Sequence, residues 1–101
     1  MLLAQVVGTV VSTRKEPRTE GVKFLLLEKI DGATMKGKKD YLVAMDAVGA
    51  GPGEVVFYVA GSSARMTGVT EGKPSDAAII AIVDIIERAG EIVYRKEGAG
   101  E

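Results

Sequence analysis

Residues 49–53 read Gly-Ala-Gly-Pro-Gly. Three glycines and a proline in five positions can neither extend a helix nor hold a regular strand. Glycine resists ordering and proline has no N–H to donate. The chain must turn here. A β-branched and aromatic run, Val55-Val56-Phe57-Tyr58-Val59-Ala60, follows at once and reads as a strand. A second small-residue turn, Gly61-Ser62-Ser63-Ala64-Arg65, closes on an arginine. Such a loop either cradles a ligand against bare backbone or lets two backbones pass close together.

The remaining segments are short and mostly strand-like. Residues 2–12 predict a long first strand rich in valine, with Gly8 marking a bend or bulge. Residues 13–21 form a polar loop of nearly balanced charge, and residues 22–29 a second strand apolar on both faces. Residues 31–40 read as a polar hairpin tip, whose Lys-Gly-Lys-Lys run is a solvated end rather than a phosphate contact. Residues 41–47 and 91–96 supply two more strands. Residues 75–89 predict a helix: Pro74 precedes it, Ser75 caps it, Gly90 ends it, and Ile79, Ile82, Val83 and Ile86 share a helical face. Apolar around most of its circumference, this segment points to a surface buried by self-association. The expected architecture is mostly β: a small OB-like closed β-barrel of about five strands with one helix in the C-terminal half. Residues 1–96 make one domain and residues 97–101 a flexible polar tail.

Composition removes several function classes. The chain has 101 residues and no histidine or cysteine. No Ser-His or Cys-His pair can form within it, and thiolate metal sites are absent. A net charge of −1 and five aromatics give little support to a nucleic-acid groove. The N-terminus lacks a basic leader, and no apolar run approaches the roughly 20 residues of a membrane span. A cytoplasmic protein that engages neither nucleic acid nor membrane is expected.

The glycine loop fails as a phosphate cradle. Its spacing is G-x-G-x-G, and a strand follows where a dinucleotide fingerprint requires a helix N-terminus. Residues 68–74 echo a P-loop but are one residue short, with Pro74 at the magnesium-binding hydroxyl position. Ser62 and Ser63 have no histidine to activate them. Asp31, Asp40, Asp46 and Glu54 match no calcium-loop spacing. No catalytic residue, metal or cofactor is expected.

The run Asp46-Ala47-Val48-Gly49-Ala50-Gly51-Pro52-Gly53-Glu54, with Gly-Ser-Ser-Ala-Arg at 61–65 and Pro74-Ser75-Asp76 leading into Ile82-Val83-Asp84, resembles the EutN/CcmL family. Its members are pentameric vertex proteins of bacterial microcompartment shells, carboxysomes included. The opening Val6-Val7-Gly8-Thr9-Val10-Val11 with Arg14-Lys15 is similar to that family's first strand and turn. The resemblance implies a homopentamer that caps five-fold vertices beside hexameric shell proteins, with no enzymatic activity. A five-fold ring joins unlike surfaces. Asp46, Gly49, Ala50, Gly51, Gly53, Glu54, Ser62, Ser63 and Arg65 are its candidate interface residues, with Asp46 and Glu54 as candidate partners of Arg65. Arg14 and Lys15 are candidates for a pore or shell-contact loop. The alternative reading is an OB-like module binding single-stranded nucleic acid or a small ligand.

Overall fold

Leucine- and valine-rich strands need a partner along every edge, and this chain meets that need by closing a sheet on itself. The computed structural model describes residues 2–11, 23–61 and 77–96. Its strands are β1 (Leu2–Val10), β2 (Phe24–Ile30), β3 (Gly37–Asp46), β4 (Val55–Ala60), β5 (Ala77–Ile82), β6 (Ile85–Arg88) and β7 (Glu91–Arg95). The first five form a closed barrel in the order β1-β2-β3-β5-β4, while β6 and β7 form a separate antiparallel hairpin. β1 is hydrogen-bonded to β2 on one edge and β4 on the other. The β3–β5 pairing is parallel. This is the OB-like barrel expected from the sequence.

Alternation along the strands fills the interior. Ala4, Val6, Leu25, Leu27, Ala44, Val56, Tyr58 and Ile79 are buried in one hydrophobic cluster. Gly8 marks a bulge as expected: Val6 pairs with Leu27, the next pair is Gly8 with Leu26, and Val7 is passed over. Leu27 faces the core and Leu26 lies on the opposite parity. The bulge therefore moves Gly8 and Val10 to the outer face, although they continue the even-numbered series of Ala4 and Val6.

The predicted helix over residues 75–89 is corrected. Residues 77–82 are β5 and 85–88 are β6; the capping positions 75 and 76 lie outside the described residues. Seven successive positions from Ala77 to Val83 are apolar. A run without polar interruption matches a 3.6-residue period and any other equally well, so the spacing of its isoleucines does not discriminate. Length and context decide. β5 inserts between β3 and β4, and burial on both faces asks for a continuous apolar run. The five barrel strands thus include residues 77–82 and exclude residues 91–96, which pair with β6 instead. β3 begins at Gly37, inside the expected polar tip, because residues 37–46 extend the ladder with β2 as far as Ile30–Gly37.

The β6–β7 hairpin leans on the barrel by one face. Ile86 and Tyr94, opposite each other, pack with Leu3, Phe57 and Met35 around buried Ile30, Val55 and Val83. Arg88 Nη1 donates to the Ala33 carbonyl at 2.8 Å, tying the hairpin to the β2–β3 turn.

Candidate functional site: the glycine loop and its anchors

Residues 47–54 join β3 to β4, and Asp46 organises the first half of this loop. Its Oδ1 accepts hydrogen bonds from the backbone N–H groups of Val48 (3.0 Å), Gly49 (2.9 Å) and Ala50 (3.2 Å). The Asp46 N–H donates to the Lys23 carbonyl at 2.9 Å. An aspartate that satisfies successive N–H groups ahead of it folds the backbone without a strand partner. Ala50 is consequently drawn into the main core at 1% exposure. Gly49, at φ +78°, supplies the left-handed step that the turn requires.

Glu54 organises the second half. Its Oε1 accepts from the Gly51 N–H, and the Glu54 N–H donates back to the Gly51 carbonyl at 3.2 Å. Its Oε2 meets Lys96 Nζ at 2.9 Å. Gly53, at φ +85°, turns its N–H onto the Val6 carbonyl (2.8 Å), while Gln5 Nε2 donates to the Gly53 carbonyl (3.1 Å). Val6 donates in turn to the Glu54 carbonyl at 2.9 Å. The loop is thereby laced to β1. A side chain at Gly49 or Gly53 would meet open space in the single chain, so conformation rather than crowding within the subunit favours glycine at both.

The Lys96 ammonium and the Gly51 N–H hold the Glu54 carboxyl below its ordinary pKa, and Glu54 raises that of Lys96. A depressed carboxyl contributes stability that is complete above its unfolded-state value and is lost as pH falls through the folded one. A raised lysine contributes stability that is lost as pH rises through its folded value. Glu54→Gln is therefore expected to flatten the acid limb of a plot of melting temperature against pH, below about pH 5. An acid limb identical to that of the unsubstituted chain would show that this pair does not anchor the loop.

The sequence candidates separate as follows. Asp46, Gly49, Ala50, Gly51, Gly53 and Glu54 come together in this one loop. Ser62, Ser63, Arg65, Arg14 and Lys15 lie outside the described residues. Lys96 was not anticipated as the partner of Glu54, because the ion pair joins the loop to the segment after β7 and no local spacing signals it. The four acids considered for a metal site are engaged separately. Asp31 accepts from the Ala33 N–H, Asp40 pairs with Lys29 at 3.2 Å, and Asp46 and Glu54 are used as described. Among the described residues no group of three or more acids could hold a metal ion. The arrangement fixes the shape of the surface between β3 and β4.

Residues 1–84 match the family described as "Ethanolamine utilisation protein EutN/carboxysome". The carboxysome shell vertex protein CcmL of Synechococcus elongatus is 46% identical over 96 residues, covering 95% of this chain and 96% of that protein. The solved structure of Gloeobacter violaceus CcmL superposes with a TM-score of 0.90 at 43% identity, over 96% of this chain and 99% of that one. The pentameric microcompartment shell protein GrpN of Rhodospirillum rubrum superposes with a TM-score of 0.79 at 38% identity, over 88% of this chain and 100% of that one.

Proposed function

The chain belongs to the EutN/CcmL family, and from that premise we propose that the loop of residues 47–54 serves the contacts between subunits of a five-membered ring beside hexameric shell tiles. The protein is a structural subunit of a bacterial microcompartment shell, a pentamer that caps the five-fold vertices, and not an enzyme. The observation that carries this function is similarity over nearly the whole chain to shell vertex proteins, one of them solved as a pentamer. A flat layer of six-fold tiles cannot curve shut, and five-fold tiles at its corners supply the missing curvature.

Asp46, Gly49, Ala50, Gly51, Gly53 and Glu54 lie at or near these contacts in this reading, with Ser62, Ser63 and Arg65 on the same interface. Arg14 and Lys15 belong to a loop at the pore or the shell contact. What supports the loop's role is its construction. Internal hydrogen bonds fix its shape, while Gly49, Pro52 and Gly53 stay exposed and offer little side chain to keep a second backbone away. Native mass spectrometry tests the ring directly: five chains per particle support it, and a lone chain at micromolar concentration refutes it.

A further inference from the structure

At one end of the barrel the inward-facing series turn from apolar to charged. On β2, Leu25 and Leu27 are followed on the same parity by Lys29; on β3, Ala44 and Leu42 lead to Asp40. Lys29 Nζ meets Asp40 Oδ2 at 3.2 Å. Leu2 and Tyr58, opposite each other on β1 and β4, stand at the same mouth. With Leu3 and Lys38 at the rim, these groups line a cavity of about 270 Å³. Tyr58 is only 2% exposed, its ring packed in the main core. No hydrogen bond joins its hydroxyl to another described residue, and no buried side-chain oxygen among them is left unpaired. The hydroxyl therefore reaches the open space of the mouth that Tyr58 lines. A buried phenol ordinarily finds a partner, and here the place for one is the cavity.

We propose that this mouth binds a short-chain aliphatic carboxylate, with the charged end between Lys38 and the Tyr58 hydroxyl and the hydrocarbon end on Leu2 and Leu3. Charge selects the sign of the ligand. Asp40 offsets Lys29, and Lys38 has no ion pair with a described residue, so the lining carries a net positive charge. The nearby Glu28 belongs to the outer row of β2, where its Oε2 accepts from the Lys39 N–H at 3.1 Å. A phenol hydroxyl and an ammonium both donate, and a carboxylate only accepts. The leucines favour a ligand with an apolar end over a bare inorganic ion. The volume falls at the lower edge of the roughly 300–1,000 Å³ usual for ligand pockets, which limits the chain to a few carbons. The site is built by one chain and does not depend on the ring.

Isothermal titration calorimetry of the purified protein with sodium butyrate, at an ionic strength held constant with sodium chloride, tests the site. Saturable binding is expected, with a dissociation constant on the order of 1 mM for so small a ligand. Sodium acetate, two methylenes shorter, should bind about tenfold more weakly. Tyr58→Phe keeps the ring in the core and Lys38→Gln changes an exposed side chain, so both variants should retain the barrel's circular dichroism. Each should weaken butyrate binding about tenfold. Lys39→Gln makes the same change of charge beside the mouth but outside its lining, and should leave the affinity unchanged. Absence of saturable binding, equal weakening by Lys38→Gln and Lys39→Gln, or full affinity in Tyr58→Phe would overturn the proposal. Acetate binding as tightly as butyrate would overturn it too, by removing the leucines from the contact.

Discussion

Asp46→Ala is expected to lower the unfolding free energy by about 2–4 kcal/mol and the melting temperature by about 10–20 °C. The effect is large because one carboxylate oxygen serves three backbone donors. These donors are not equivalent. Val48 and Gly49 are exposed, so water can replace Asp46 there, whereas Ala50 is buried and its N–H would lose its partner in a dry environment. An unsatisfied buried donor costs about 1–3 kcal/mol, and loss of the charge-assisted bonds adds to it. Asp46→Asn keeps an acceptor at the same place but loses the charge, and should recover about half of the loss. Denaturant unfolding at one fixed protein concentration, which assembly would otherwise confound, measures both. If the alanine variant were as stable as the asparagine one, this oxygen would not be what holds the loop.

Leu27→Ala is expected to cost about 2–5 kcal/mol, a large share of the roughly 5–15 kcal/mol that holds a domain of this size together. Leu27 is fully buried and lies opposite Val6 on β1 and Leu42 on β3. Its removal opens a void inside a closed ring of hydrogen-bonded strands, and a barrel tied along every edge can collapse onto a cavity only slightly. The comparison variant is Val11→Ala, just beyond β1 and 89% exposed. It should change the stability, measured at the same protein concentration, by less than about 0.5 kcal/mol. Equal losses from the two variants would contradict the inside–outside assignment on which the barrel register rests.

How far the fold was legible can be followed residue by residue. β4 was readable because Val55 to Ala60 is a dense β-forming run bounded by glycines on both sides. The bulge in β1 was readable from Gly8 alone. β5 was not, because nothing interrupts its apolar run and tertiary pairing with β3 and β4 decides its state. The same misreading assigned its apolarity to self-association, whereas Ala77, Ala78 and Ile79 are buried within the subunit. The exposed isoleucines, Ile85 and Ile92, sit on the hairpin that follows. In the site, the loop's shape had a local signal, an aspartate followed by small and glycine residues. The Glu54–Lys96 pair had none, since four strands, β4 to β7, lie between the two residues in the sequence.

This chain works as one fifth of a vertex. Native mass spectrometry of the purified protein, in volatile buffer near physiological ionic strength, counts the chains per particle. One dominant species is expected at about five times the 10.6 kDa chain mass, persisting on dilution to low micromolar concentration. A dominant single chain, or a dominant six-chain species, would contradict it.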